Sequence, residues 1–330
     1  MRAVPAQACR AAQGCAEQDQ AIRFRYLPVT VQRVISMEAD IWDIPAEVER
    51  AVEEMPAISP VLGKINQIAR EMDTSPKDLV KIIMLDPVLT GKVLKLVNSS
   101  FYGLAQRVQS LAQAVVLLGM NTVKNLAIST ALISAVFVKE KRSPIDPEAF
   151  WRHCLATAVG SKLLAIGLNC SAEDREMFFM AGLLHDVGKI LFIRTDSKKY
   201  ARALEESRQL GVSLTFAELS HFGCTHATAG GVLARKWKID DGIIEVIEHH
   251  HGTHSHMGGR YTPQVVVANN LSKRTQAGES GNCVIEEASD DIADGLGVRK
   301  DMLSGISEQL TSELDKAAEF LNIVQDRRGL

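Results

Sequence analysis

The sequence predicts an all-α fold, and three features support this prediction. From Asp43 onward, apolar residues recur every three or four positions, which is the spacing of one face of a helix. Strict alternation of apolar and polar residues, the pattern of a half-buried strand, is absent over any useful length. Prolines and capping side chains precede several apolar runs, where helices are expected to begin. The 330 residues are enough to bury a substantial core.

The first helices are predicted from their start signals. Pro60 begins a helix whose apolar residues recur at helical spacing. Residues 74–78 (Thr-Ser-Pro-Lys-Asp) form an N-terminal cap, because a hydroxyl can accept from free amides, proline fits the first turn and aspartate suits the positive end of the helix dipole. Asp86 and Pro87 form a second cap. Asn98 is interpreted as a residue that ties down the backbone at the end of the next helix.

Changes in composition predict the boundaries. Charged residues and two prolines at 139–147 predict a linker between two helical lobes, residues 41–138 and 148–275. A C-terminal helical segment, residues 276–330, follows a polar break. Its last helix, from about 302 to 324, is amphipathic and is expected to pack on the core or on a partner. Residues 1–40 lack this periodicity and are interpreted as a disordered leader or as sequence upstream of a misassigned start.

Composition argues against two classes of partner. The chain has 37 basic and 40 acidic residues, for a net charge of −3, so neither nucleic acid nor membrane lipid is expected as its main partner. No apolar run reaches the roughly 18–20 residues of a membrane helix. The six cysteines are scattered without a CxxC pair, which is typical of reduced thiols. The first residues lack the apolar core of a signal peptide, so we expect a cytoplasmic protein.

The histidines carry the strongest indication of chemistry. All nine lie between positions 153 and 256, and His185 stands beside Asp186 in an apolar segment. An imidazole and a carboxylate are costly to bury unless both are liganded or hydrogen-bonded. A helical bundle can bring several such groups to one point in its core. Mixed imidazole and carboxylate ligation suits Fe, Mn or Zn rather than Mg or Ca.

The run His185-Asp186-Val187-Gly188-Lys189, with His153 before it and histidines after it, resembles the HD superfamily of metal-dependent phosphohydrolases. The resemblance implies one or two divalent metal ions, with Fe or Mn favoured and Zn as a further alternative. It implies that Lys189 contacts a phosphate oxygen, although a solvated surface lysine is the alternative. The positions that match the family's ligands are His153, His185, Asp186, His226, His249 and His250.

Two departures from the superfamily stand out. The superfamily ends its ligand set with an aspartate on a late apolar helix, and this chain has Asn269 at the corresponding position. A neutral amide is a poorer ligand and cannot act as an anionic base. The HD-GYP subfamily, whose members cleave cyclic di-GMP, has a Gly-Tyr-Pro element. Residues 258–263 of this chain match that element only loosely.

Three motifs in the N-terminal half resemble those of HDOD domains, in the same order. They are Leu85-Asp86-Pro87-Val88-Leu89-Thr90, then Leu96-Val97-Asn98-Ser99-Ser100-Phe101-Tyr102-Gly103, then the segment from Ser110 to Gly119. The resemblance identifies residues 41–275 as an HDOD domain. It implies a bacterial-type regulatory protein that acts through contacts with signalling partner proteins. The rival hypothesis is a metal-dependent phosphohydrolase acting on a nucleotide or cyclic dinucleotide.

Simpler interpretations remain open for several histidines. His185 and Asp186 could be a buried pair that holds two helices together. His153 could be packed rather than liganding. His221 is expected at a helix end or on the surface, and the histidines at 251, 254 and 256 are expected to be solvated.

Overall fold

The structure is a computed structural model that describes residues 44–56, 61–65, 75–136, 143–251, 259–282, 284–285 and 288–325. Within these ranges the regular structure is helical and no strand occurs, which confirms the all-α prediction. The predicted leader lies outside the described residues. Among the described residues, no helix is both long and apolar enough to cross a membrane.

The N-terminal helices begin where the capping residues predict. Ser75 accepts a hydrogen bond from the amide of Asp78 at 3.3 Å, and Asp86 accepts one from the amide of Leu89 at 3.0 Å. Besides a helical segment at 61–65, these helices are α1 (Ala46–Glu54), α2 (Pro76–Ile83), α3 (Pro87–Val97), α4 (Leu111–Leu118) and α5 (Met120–Val136).

Asn98 closes the turn after α3, as predicted. Its side chain accepts from the amide of Val108 at 2.7 Å and donates to the carbonyl oxygens of Val108 and Leu94 at 2.9 and 2.8 Å. One amide side chain therefore joins the end of α3 to the segment that leads into α4.

The central helices form the larger part of the described chain. They are α6 (Pro147–Gly167), α7 (Ala172–Leu184), α8 (Lys189–Leu210), α9 (Leu214–Phe222), α10 (His226–Lys236), α11 (Asp241–His249) and α12 (Thr262–Arg274). Helix α6 is buried on nearly all sides and packs against α7 and α12. Helix α1 packs against α8 and α10, and α5 packs against α7, so the N-terminal and central helices share one hydrophobic core.

Two C-terminal helices follow, α13 (Ala288–Gly295) and α14 (Lys300–Gln325). The beginning of α14 packs near α6 and α12 through Ile306, and its end reaches α3 and α5. There Lys92 and Ser134 donate to the carbonyl oxygen of Val324 at 2.6 and 3.3 Å. The predicted amphipathic helix therefore packs on the core of its own chain.

Candidate metal centre

The His185–Asp186 doublet lies in the turn between α7 and α8, and two glycines allow the close packing around it. A side chain at Gly182 would lie 2.7 Å from the backbone of Ala158 on α6. A side chain at Gly188 would overlap the carbonyl oxygen of His226 at the start of α10. The absence of a side chain at both positions therefore brings α6, the doublet and α10 to a common point.

The carboxylate of Asp186 stands between two groups of histidines. Its Oδ2 lies 3.4 Å from Nε2 of His185 and 3.6 Å from Nε2 of His153, and these three residues are called the first half-site. Its Oδ1 lies 3.2 Å from Nε2 of His226 and 3.4 Å from Nε2 of His250. His251 adds a third imidazole on this side, with its Nε2 3.0 Å from that of His226.

We call Asp186, His226, His250 and His251 the second half-site. In each half-site the atoms that could bind a metal lie within 4.8 Å of one another. Asp186 belongs to both, so one carboxylate faces two adjacent positions for a cation. His249 is in neither half-site.

The pair on this side of the centre is thus 250–251 rather than the 249–250 expected from the superfamily. The expectation of a solvated His251 is not met, because this residue is half-buried against His226. Its neighbours at 254 and 256 lie outside the described residues. The buried face of α11 carries Ile243 and Ile247, and His250 and His251 continue it at the next helical positions. This spacing of three and four residues from the apolar side chains is a sequence signal that could have identified the pair 250–251.

The four fully buried histidines each form a hydrogen bond through Nδ1 with a group that belongs to neither half-site. We call this group the outer partner of the histidine. His185 donates to the carbonyl oxygen of Gly182 at 2.7 Å, and His250 donates to that of Ile247 at 2.9 Å. The partner of His153 is the hydroxyl of Ser272 at 3.1 Å, and the partner of His226 is the carboxylate of Glu218 at 2.6 Å. Outer partners of this kind fix the ring orientation and direct Nε2 toward a metal.

Three buried atoms of the centre have no hydrogen-bond partner among the described residues: Nε2 of His153, Nε2 of His185 and Oδ1 of Asp186. Buried polar atoms are normally satisfied, since leaving one unpaired costs about 1–3 kcal/mol. All three are ligand atoms for a first-row metal ion, and they converge on the same small region. The donor set therefore fits a divalent metal.

The protonation states of three of the histidines agree with such a site. Burial lowers the pKa of His153 to about 3, lowers that of His185 well below its usual range and also lowers that of His250. These rings are therefore neutral at physiological pH, as metal ligands must be. Although burial favours the neutral acid, the Lys189 ammonium holds the pKa of Asp186 well below its usual range. Burial opposes a proton on His226, but the carboxylate of Glu218 raises its pKa overall.

Lys189 is buried beside the doublet, which excludes a solvated surface lysine. Its exposed fraction is 1%, and its Nζ donates to Oδ2 of Asp186 at 2.7 Å and to the carbonyl oxygen of Ser280 at 3.0 Å. The ammonium therefore neutralises the carboxylate on the side of the first half-site. The phosphate contact implied by the superfamily stays a prediction.

The family model of the HDOD domain matches residues 55–253, more than half of the chain. The chain belongs to the HDOD family. A curated relative, an uncharacterized protein from Treponema pallidum (strain Nichols), is 23% identical over 257 residues, which cover 76% of this chain and 48% of the relative. The chain thus spans about half the length of the curated relative that it matches.

Solved structures confirm that this HDOD chain has the expected fold. A candidate phosphohydrolase from Shewanella amazonensis SB2B is 24% identical, with a TM-score of 0.66 over 84% of this chain and 98% of that one. An HDOD domain protein with unknown function from Geobacter sulfurreducens is also 24% identical, with a TM-score of 0.63 over 86% of this chain and 99% of that one.

Asn269 of the HDOD chain is fully buried on α12, and neither atom of its amide has a hydrogen-bond partner. It lies one helical turn before Ser272, so it shares the helix face that meets His153. The position where the resemblance to the superfamily predicts a carboxylate ligand thus carries an amide without partners among the described residues. At the start of α12, Arg260 and Tyr261, which belong to the segment that loosely matches Gly-Tyr-Pro, bind Asp174 on the first turn of α7 at 2.8 and 3.2 Å.

Glu218 is the residue of the centre that sequence reasoning missed. It is fully buried on α9, and its Oε2 accepts from both Nδ1 and the backbone amide of His226. Its Oε1 accepts from the hydroxyl of Tyr200 at 3.1 Å. A weak sequence signal exists, because Glu218 follows Leu214 by four positions and so shares its buried face.

Proposed function

We propose that this HDOD protein is a regulatory module of signal transduction that acts mainly through contacts with partner proteins and carries a structural or sensory divalent metal. The residues proposed to hold it are His153, His185, Asp186, His226 and His250, with His251 in the place first assigned to His249. One or two ions are proposed, with Fe or Mn favoured and Zn as a further alternative. A metal bound there supplies Lewis acidity and can activate water.

The observation that carries the regulatory role is the burial of these ligands. His153, Asp186, His185, His226 and His250 are each at most 1% exposed. Structural metal sites are closed, whereas catalytic sites keep a position open to substrate. Asn269 supports the same conclusion, because it offers no negative charge where the hydrolytic superfamily has an aspartate.

Contacts with partner proteins are supported by the surface of the N-terminal helices. Met84 and Leu85 at the end of α2, Val88 on α3, and Val116 and Leu117 on α4 are large apolar side chains with 45–83% of their surface exposed. These three helices pack against one another. Exposed apolar side chains on neighbouring elements are typical of a surface that binds another protein.

The proposal includes a cytoplasmic location, with neither nucleic acid nor membrane as a partner. Free thiols at Cys154, Cys170 and Cys224 support a reducing compartment. The nearly balanced charge supports the absence of a polyanionic partner.

Metal analysis combined with a phosphodiesterase assay tests this proposal. Protein purified without oxygen is expected to contain Fe or Mn, and Asp186→Ala is expected to contain none. With Fe²⁺ or Mn²⁺ present, hydrolysis of bis(p-nitrophenyl) phosphate and of cyclic dinucleotides is expected to match the Asp186→Ala background. Hydrolysis that disappears in Asp186→Ala would overturn the non-catalytic role. Absence of metal from protein that is folded would overturn the metal centre itself.

The second candidate function is a metal-dependent phosphohydrolase acting on a nucleotide or cyclic dinucleotide. It is favoured by one observation, the partial exposure of His251, which leaves one edge of the second half-site nearer to solvent than the rest. A phosphate contact by Lys189 belongs to this candidate. The same assay distinguishes the two functions, because only a phosphohydrolase would hydrolyse these substrates faster than the Asp186→Ala variant does.

A further inference from the structure

The outer partners of the histidines differ in charge between the two half-sites. In the first half-site, the hydrogen-bond partners of the histidines are neutral groups, the hydroxyl of Ser272 and the carbonyl oxygen of Gly182. In the second half-site, one outer partner is the carboxylate of Glu218. The two half-sites share Asp186, and they differ in the number of histidines, three in the second against two in the first, and in these outer groups.

Glu218 is held rigidly behind His226. Its Oε2 lies 2.6 Å from Nδ1 and 2.9 Å from the backbone amide of His226, and the hydroxyl of Tyr200 donates to its Oε1. Burial and the adjacent carboxylate raise the pKa of Tyr200, so the phenol stays a donor. A carboxylate that accepts from Nδ1 fixes the tautomer with a lone pair on Nε2 and makes this nitrogen a stronger ligand.

Lys189 has the opposite effect on the first half-site. Its ammonium lies 2.7 Å from Oδ2 of Asp186, which is the oxygen that faces His153 and His185. A cation entering there meets a fixed positive charge and a carboxylate oxygen that is already engaged. In a buried site this repulsion is only weakly screened.

We infer that the two half-sites fill in a fixed order, the second half-site first, because Glu218 strengthens His226 as a ligand and Lys189 weakens cation binding at the first half-site. Glu218 is therefore a positioning residue of the second half-site. This inference rests on the proposed metal centre and adds to it an order of occupancy.

A titration of the metal-stripped full chain with Co²⁺ alone tests the order. Binding is followed by visible absorption and by equilibrium dialysis, and the tighter step is expected to be at least about tenfold stronger than the weaker one. His250→Ala is expected to abolish the tighter step and His185→Ala the weaker one. If the chain binds only one equivalent, His250→Ala should abolish it and His185→Ala should retain it. The reverse assignment would overturn the inference.

Glu218→Gln removes the negative charge behind His226 and leaves all residues of the two half-sites unchanged. It is expected to weaken the tighter step by about ten- to a hundredfold and to leave the weaker step unchanged. The matched control is Glu206→Gln, because Glu206 also contacts an imidazole at 2.6 Å, that of His221, but outside the centre. The control should bind Co²⁺ as the wild type does. If Glu218→Gln does not fold, Tyr200→Phe is used, because it removes the hydrogen bond that holds Oε1 of Glu218. It is expected to weaken the tighter Co²⁺-binding step by a smaller factor.

Lys189→Met completes the test, and it is expected to tighten only the weaker step. Equal effects of Glu218→Gln on both steps, or no effect beyond that of Glu206→Gln, would contradict the inference while leaving the metal centre intact. Failure of the folded wild type to bind Co²⁺ would instead contradict the proposed metal centre.

Discussion

The N-terminal helices and the central helices use buried polar groups in different ways. Among the described residues from 44 to 136, no buried side-chain nitrogen or oxygen lacks a hydrogen-bond partner. Polar side chains such as Ser75, Asp86 and Asn98 close helix ends and turns there. In the central helices, His153, His185 and Asp186 carry unpartnered atoms toward one another. Satisfied polar groups build the scaffold of the N-terminal helices, whereas the unpartnered atoms of these three residues are ones that we propose to bind a metal.

Asp186→Ala is expected to have the largest effect, because it changes both stability and metal binding. It leaves the buried Lys189 ammonium without its carboxylate, which costs about 3–5 kcal/mol in the free energy of unfolding. Urea denaturation of the metal-free protein measures this loss. The double variant Asp186→Ala/Lys189→Met is expected to recover part of the stability but none of the metal. A single variant as stable as the wild type would show that the pair is not buried as described.

Leu96→Ala is the counterpart among the N-terminal helices. Leu96 is fully buried on α3, so its truncation should cost about 2–5 kcal/mol through lost apolar contacts and a cavity. Metal content per folded molecule is expected to stay at the wild-type value. Urea denaturation and metal analysis of one preparation check both expectations. A loss of metal from folded Leu96→Ala would break the distinction between scaffold and centre.

The sequence alone was sufficient for the fold because its signals are local. Caps at Ser75 and Asp86 act within three residues, and the apolar spacing of α14 is visible along the chain. The doublet at His185 and Asp186 is local too. The rest of the centre depends on tertiary contacts, which spacing does not encode. Glu218 meets His226 only because a turn separates α9 from α10, and the burial of Lys189 depends on Ser280, far along the chain.

The exchange of His249 for His251 has a more specific cause. His249 and His251 are two positions apart, so on a helix their side chains point about 200° apart and only one of them can face the site. Because three histidines follow one another, which of them face the site depends on which side of α11 is buried. The superfamily pattern supplies a pair of histidines but not which pair, and the apolar face of α11 selects it.

Asn269→Asp is expected to change stability and metal binding in opposite directions. A carboxylate at this buried position should destabilise the metal-free protein by about 1–3 kcal/mol, since an unpaired carboxylate is costlier to bury than the unpaired neutral amide that it replaces. It should also tighten Co²⁺ binding by about tenfold, because an anionic ligand replaces a neutral one. Thermal unfolding with and without Co²⁺ measures both effects.

The matched control is Asn270→Asp, one position further round the helix. The amide of Asn270 already donates to the carbonyl oxygen of Val266 at 3.1 Å. This variant should be destabilised without any gain in Co²⁺ affinity. Equal behaviour of the two variants would mean that Asn269 does not face the centre.

Ser75→Ala is expected to have the smallest effect and to leave metal binding unchanged. It removes the cap of α2, which should cost about 1 kcal/mol, whereas Ser75→Gly should cost only a few tenths. The hydroxyl of Ser75 also holds the pKa of Asp78 below its usual value. A lowered carboxyl pKa stabilises the fold above the pKa of the unfolded chain, and this contribution disappears as pH falls through the folded value. The difference between wild type and Ser75→Ala in urea should therefore be larger at pH 7 than at pH 3, and a constant difference would contradict this account of the cap.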